Sequence, residues 1–297
     1  MADTMQVTPG AAGTLPVAPV KGYWHSVWGR LRRDPVAMVA GLVLLAIVLM
    51  AIFAPWLAPA SPYSTSMLTR LQPIGTPGFP LGTDELGRDV LSRLIHGARL
   101  SLLIGVMPVV NAFFIGSMIG IVAGFVGGRT NTAIMRVIDV FYAFPAVLLA
   151  VALAGALGSG LVNSLFSLTV VFIPPIARVA ESVTTKVRSV DYIEAARASG
   201  AGSLTIIHRH VLGNVLGPVF VYATSLISVS MILASGLSFL GLGARPPTPE
   251  WGLMLNTMRD AIYVNPWVTV LPGLMIFTVS ICFNMLSDGL RSAMDVK

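Results

Sequence analysis

The sequence predicts an all-α membrane protein that crosses the bilayer six times. Three observations carry that reading. Of 297 residues, 55% are apolar and only 11% are charged, where a soluble domain carries about a quarter charged residues; mean hydropathy is +0.81. The charge is distributed so that several runs reach the ~20 apolar residues needed for a membrane helix. The basic residues also fall unevenly on the two sides that six spans define.

Residues 1–35 read as a cytoplasmic tail, of which 1–20 have no periodic apolar pattern and are expected to be mobile. The charge-free run 36–57 follows Lys21, Arg30, Arg32 and Arg33 and rises about 33 Å as a helix. Ala58-Pro59-Ala60 looks like a signal-peptidase site, but a signal peptide's apolar region is only ~7 to 15 residues long. The run therefore reads as an uncleaved anchor. Residues 58–99 form the longest segment expected outside the membrane on the far side. Spans at 100–126, 137–157, 161–177, 216–239 and 267–286 make a five-helix core over 100–290, with a cytoplasmic loop at about 178–212 and a cytoplasmic end at 291–297.

With this assignment, 13 basic residues lie on the inner side and 6 on the outer side. That bias follows the positive-inside rule and puts both termini in the cytoplasm. The formal charge of +6 thus reports membrane insertion and not nucleic-acid binding. Cys282, the single cysteine, excludes an intrachain disulfide and a CxxC site.

Pro108, Pro145, Pro174, Pro175 and Pro218 fall inside these spans, where kinks are tolerated if neighbours satisfy the freed carbonyls. Ordinary membrane-helix composition and hinges both account for them. Gly116, Gly120, Gly124 and Gly128 recur every fourth residue and so share one helix side, where another backbone can approach closely. A neighbour within the same chain is favoured over a second subunit.

No Gly-Lys pair of a phosphate-binding loop occurs among Lys21, Lys186 and Lys297, and no G-x-S-x-G elbow is present. His208 and His210, two apart, point to different sides of a helix and do not form a metal pair. Asp139 is the one carboxylate inside a proposed span; an interfacial pair with Arg136, three residues earlier, is preferred to proton relay. The chain reads as a path without its own energy source and without catalysis.

In the inner loop, residues 194–199 are good helix formers and Gly200 can end that helix in a left-handed conformation. Residues 204–211 then read as a second short helix. Such a knob suits a groove in another protein. Here the sequence resembles the membrane subunits of ATP-binding-cassette importers. Glu194-Ala195-Ala196 with Gly200 looks like their EAA motif. The resemblance extends over nearly the whole chain to the dipeptide/oligopeptide/nickel branch, as the second (C-type) permease of the pair. It is carried by Gly82-Thr83-Asp84-Glu85-Leu86-Gly87-Arg88-Asp89 with Ser92-Arg93, by Met135-Arg136 with Asp139 and Ala143-Phe144-Pro145, and by Leu237-Ser238-Phe239-Leu240-Gly241-Leu242-Gly243. Further matches are Pro246-Pro247-Thr248-Pro249-Glu250-Trp251-Gly252 and Phe283-Asn284 with Asp288-Gly289-Leu290-Arg291. Two departures stand out: Gly213 replaces a family proline, which is expected to loosen the fifth helix, and Val296 follows Asp295 in place of another.

The resemblance implies a type I importer transmembrane domain in the bacterial inner membrane. It also implies a homologous permease, two ATPase subunits holding ATP and Mg, and an extracytoplasmic solute-binding protein. No cofactor is expected on this chain. Asp191, Tyr192, Glu194, Ala195, Ala196, Arg197 and Gly200 are the expected ATPase-coupling residues; for Glu194 a plain helix N-terminal charge is the alternative. Asp84, Arg88, Asp89, Arg93 and Trp251 are candidates for receptor docking or gating. A structural role is preferred for that group, with Thr83 or Asp84 as a helix cap and Trp251 at the membrane interface. Peptides are the implied substrate, with nickel, glutathione, opines and sugars as alternatives. An ion-coupled carrier and a membrane enzyme are the competing classes, and both lack the residues they need.

Overall fold

The computed structural model describes residues 23–294. The expected mobile segment 1–20 and the Asp295-Val296 departure lie outside the described residues. Twelve α-helices are described: α1 Tyr23–Leu31, α2 Pro35–Ile52, α3 Ala54–Leu57, α4 Val90–Val126, α5 Gly128–Tyr142, α6 Ala146–Leu157, α7 Leu161–Arg188, α8 Asp191–Ala198, α9 Ser203–Ile206, α10 Leu212–Phe239, α11 Trp251–Thr257 and α12 Pro266–Met294. Among the described residues five segments, α2, α4, α7, the continuous stretch 203–239 and α12, are long and apolar enough to cross a membrane. α5 and α6 meet that criterion only together, and they are bent by 86°. The helical architecture agrees with the sequence reading, but the third span is a broken one.

The break has a local cause. Pro145 has no N–H to continue the ladder, α5 closes at Ala143, whose N–H bonds Asp139 O at 3.0 Å, and α6 restarts with Leu149 N–H on Pro145 O at 3.0 Å. A straight helix over 137–157 is therefore corrected to two helices at nearly a right angle. Pro174 and Pro175 do not break α7, which continues to Arg188, eleven residues beyond the expected end of the span. α4 likewise begins ten residues before the expected start, at Val90. At its 37 residues α4 rises about 55 Å, more than a bilayer core.

The first span also ends early. Asp34 caps α2 by accepting from Val36 N (3.0 Å) and Ala37 N (3.2 Å), with Pro35 at the first turn. Pro55 then frees the carbonyl four residues back, on Ala51. Arg99 fills that vacancy: Nε donates to Ala51 O at 2.5 Å and Nη2 to Ile52 O at 2.8 Å. The expected tail 1–35 contains a helix, α1, whose Val27 and Leu31 pack with Ala37 and Ala293.

At the centre, α4 and α7 run parallel with their backbones in contact. A Cβ added to Gly120 would overlap the Ala177 carbonyl and lie 2.6 Å from the Ala180 Cβ; one added to Gly124 would lie 2.8 Å from Glu181 O and from the Thr184 Cβ. Gly116 faces Ile173 O and Ile176 in the same way. The neighbour is intramolecular. Gly128 does not belong to the stripe: α4 ends before it, its φ is +55°, and nothing lies within 4 Å of an added Cβ. α10 packs across this pair, forming one core with Ile104, Leu168, Ile176 and Val219, while α2, α11 and α12 form a second core around Leu44, Trp251, Met254 and Val279.

Replacing Gly120 by Val is expected to eliminate most properly folded protein, because two backbones must separate to admit the side chain. Gly128→Ala should cost only about 1 to 2 kcal/mol of left-handed strain. The monodisperse fraction of detergent-extracted protein in size-exclusion chromatography measures both.

Candidate functional site

Two sites were expected, and they lie at opposite ends of α4. The first is the segment between α7 and α10. α8 carries Asp191 and Glu194 in its first turn and Arg197 in its last, each complementing the helix dipole. Its C-terminus closes as a Schellman motif: Ala201 N–H bonds Ala196 O at 3.0 Å, Gly200 N–H bonds Arg197 O at 2.9 Å, and Gly200 has φ +81°. Asp191, Tyr192, Glu194, Ala195 and Arg197 are exposed and Ala196 is half-buried.

Underneath, Ile193, Ile206 and Val211 are fully buried in the main core and fasten the segment to the helices. Sequence reasoning missed them, although Ile193 sits one residue before the motif. Arg197 places its guanidinium 5.4 Å from the Phe125 ring centre, and Tyr192 packs against His210 and accepts from Asn214 Nδ2 at 3.2 Å. The expected second short helix, 204–211, is not separate. α9 passes through a π turn at Ile207–Val211 directly into α10, and the helix is unbroken at Gly213.

The second site joins the 58–99 segment to the loop after α10. Its hub is Asp84, which accepts from Leu86 N and Arg88 N at 2.9 Å and from Arg88 Nε at 2.6 Å, and lies 3.4 Å from Arg93 Nε. Arg93 Nη1 also donates to Pro62 O (3.0 Å) and Pro247 O (3.3 Å), tying three distant segments together. The cap of α4 is Asp89, not Thr83 or Asp84: its carboxylate accepts from Ser92 N at 2.8 Å and Ser92 Oγ at 2.5 Å. Thr83 instead accepts from Gln72 N at 2.8 Å and donates to Thr69 O.

Trp251 is corrected more sharply. It is 0% exposed, so it is not an interfacial residue. Its Nε1 donates to Leu94 O at 3.0 Å and its backbone N–H to Ser101 Oγ at 3.0 Å. Ser101 passes the bond on to Glu250, which caps α11 by accepting from Gly252 N and Leu253 N at 2.8 Å. Asp84, Arg88, Asp89, Arg93 and Trp251 are all under 5% exposed. Such side chains hold the far end of the fold together and present no surface to a receptor. Beside them, Glu85 is half-buried, and its carboxyl is pushed above its ordinary value by burial first and by Asp260 second.

Asp139 does not pair with Arg136. Its partner is Arg178 of α7, whose guanidinium also stacks over Tyr142 with 4.7 Å to the ring centre. The sequence hid this contact because Arg178 is thirty-nine residues away and just beyond the expected end of its span.

Residues 116–296 match the model of the binding-protein-dependent transport system inner membrane component. The chain belongs to this family. Residues 22–73 of the permease match the N-terminal TM domain of oligopeptide transport permease C. It is 43% identical to the di/tripeptide transport system permease protein DppC of Pseudomonas aeruginosa, over 94% of this chain and 93% of that one. It is 40% identical to the glutathione transport system permease protein GsiD of Pectobacterium atrosepticum, over 96% and 95%. An inward-facing structure of the MetNI methionine ABC transporter is similar in fold, with a TM-score of 0.55 and 19% identity over 68% of this chain and 96% of that one. The permease is thus an integral, multi-pass membrane subunit of the C type, with the fold of a type I ABC importer transmembrane domain.

Asp84→Ala leaves Arg88 and Arg93 buried without their carboxylate. Removing one partner of a buried pair costs about 3 to 5 kcal/mol, so the thermal midpoint of the purified permease should fall by several degrees. Leu86→Ala, at an exposed side chain of the same loop, should leave it unchanged; equal shifts in the two variants would contradict the hub.

Proposed function

We propose that the permease forms one half of the path by which an ATP-driven importer carries small peptides across the bacterial inner membrane. The observation that carries the reading is α8. Its charged residues are exposed, its end is fixed by Gly200, and Ile193 and Ile206 lock it to the two helices that leave it. A segment built this way transmits a push from a neighbouring protein into the bundle without bending. The occupant of that surface is an ATPase subunit, two per complex, and ATP with Mg resides there and not on this chain.

The second half of the path is a homologous permease, and an extracytoplasmic binding protein delivers the substrate. Both termini and α8 face the cytoplasm, as the 13 to 6 distribution of basic residues supports. Peptides are the favoured cargo because both relatives named above carry names of peptide transporters, DppC for di- and tripeptides and GsiD for glutathione. In operation, the two permeases exchange inward-open and outward-open packings, biased by ATP on one side and loaded receptor on the other. Glu194 offers its carboxylate to a basic or amide group of the ATPase.

Gly200→Val forces a β-branched side chain into left-handed backbone, displacing the turn that ends α8. The variant complex should assemble in the membrane yet lose peptide uptake and receptor-stimulated ATP hydrolysis by tenfold or more in proteoliposomes. Stimulation at the wild-type level would remove α8 as the coupling element.

A further inference from the structure

At the end of the bundle that carries α8, helices α7, α10 and α12 border a half-open cavity of about 650 Å³. This is within the range of small-molecule sites, about 300 to 1,000 Å³. Lys186, Asp288 and Arg291 line it, together with Tyr222 and Ser225 of α10. None of the three charged side chains has a hydrogen bond or ion pair among the described residues, although Asp288 and Arg291 stand three apart on one helix, where a pair forms readily. Asp84, Asp139, Arg93 and Arg178, by contrast, are matched within the chain. The walls are also held at a fixed spacing, since Ser287 Oγ of α12 donates to Val221 O of α10 at 3.2 Å.

Two cations and one carboxylate around one concave space call for a ligand with the inverse pattern, one ammonium and two carboxylates. We propose that this cavity is a binding site for a small peptide with free termini and an acidic side chain. The peptide carboxylates lie toward Lys186 and Arg291 and the α-ammonium toward Asp288. The inference rests on the peptide cargo proposed above and adds a station at the cytoplasmic end of the path, where a peptide is held before release. Pro218, Val179 and Met294 supply the apolar part of the lining.

The test uses the complete complex of both permeases and the ATPase subunits in nanodiscs, with the receptor omitted, and equilibrium binding of radiolabelled alanylglutamate. Lys186→Gln with Arg291→Gln should weaken binding at least tenfold, whereas Arg291→Lys, which keeps the charge, should retain it. Wild type should prefer alanylglutamate to its N-acetyl form about tenfold, and Asp288→Asn should abolish that preference. Because Lys186, Asp288 and Arg291 are exposed, the variants should assemble normally by size exclusion. Receptor-dependent peptide uptake by the wild-type complex is measured in parallel. Uptake without binding, or binding indifferent to these substitutions, overturns the site alone; a wild-type complex that takes up no peptide with its receptor overturns the cargo and the site together.

Discussion

The close approach of α4 and α7 is the constraint from which the rest of the bundle follows. Gly116, Gly120 and Gly124 bring the two backbones together over about two turns, and at these positions α4 contributes no side chain to hold them apart. In hydrocarbon there is little hydrophobic gain from burying apolar side chains, so contact at this distance, with its dispersion energy, is what makes association favourable. The pair then fixes everything attached to its ends. Where α4 stops, Arg188 of α7 lies against Gly127 and reaches Gly124 O at 3.5 Å; where α7 stops, α8 begins within three residues.

The same mast joins the two ends of the molecule. Asp89, Arg93 and Ser101 belong to the first turns of α4 or cap it, and through them the 58–99 segment, the loop after α10 and α11 are bonded to one helix. A displacement of that far end is therefore a displacement of α4, and through the glycine contact of α7 and α8. The polar groups that make these joints are buried and nearly all paired, as a low-dielectric setting requires. Their burial explains why this cluster, although rich in charge, works as a rivet and leaves recognition to the exposed residues around it.

What the sequence disclosed depended on whether a property was periodic or relational. The four-residue glycine spacing predicted a backbone contact correctly up to Gly124, because the α-helix itself imposes that period; Gly128 extended the pattern past the point where the helix ends. Span limits were less legible, since absence of charge was taken to define them. Arg93 and Arg178 both sit inside helices and bond groups distant in sequence, Pro62 O and Pro247 O for the first and Asp139 for the second, and local patterning cannot reveal such partners. Trp251 was misread for the same reason: a tryptophan in a proline-rich turn suggests the interface, and only Leu94 O and Ser101 show that its N–H is satisfied inside. Prolines illustrate the limit most plainly, because Pro145 breaks its helix by nearly a right angle whereas Pro174 and Pro175 leave theirs intact.

That contrast has a mechanical sense. A transporter needs some helices that stay straight while others change direction, and here the assignment follows the packing. α7, with two prolines, is clamped along its length by α4 and continues as a rod to α8. The α5–α6 segment has few such contacts, with Ile138, Ala150 and Ala154 as its buried side chains, and its bend is lined by Phe141, Tyr142, Phe144 and Tyr222 around a cavity of about 260 Å³. Proline thus removes a helix hydrogen bond in both places, and the neighbouring glycine contact decides whether the vacancy becomes a bend. On that argument α4, α7 and α8 form one rod, to which α5 is tied through Asp139–Arg178 and Asn131–Glu181, and the third span changes direction at Pro145, beyond those ties.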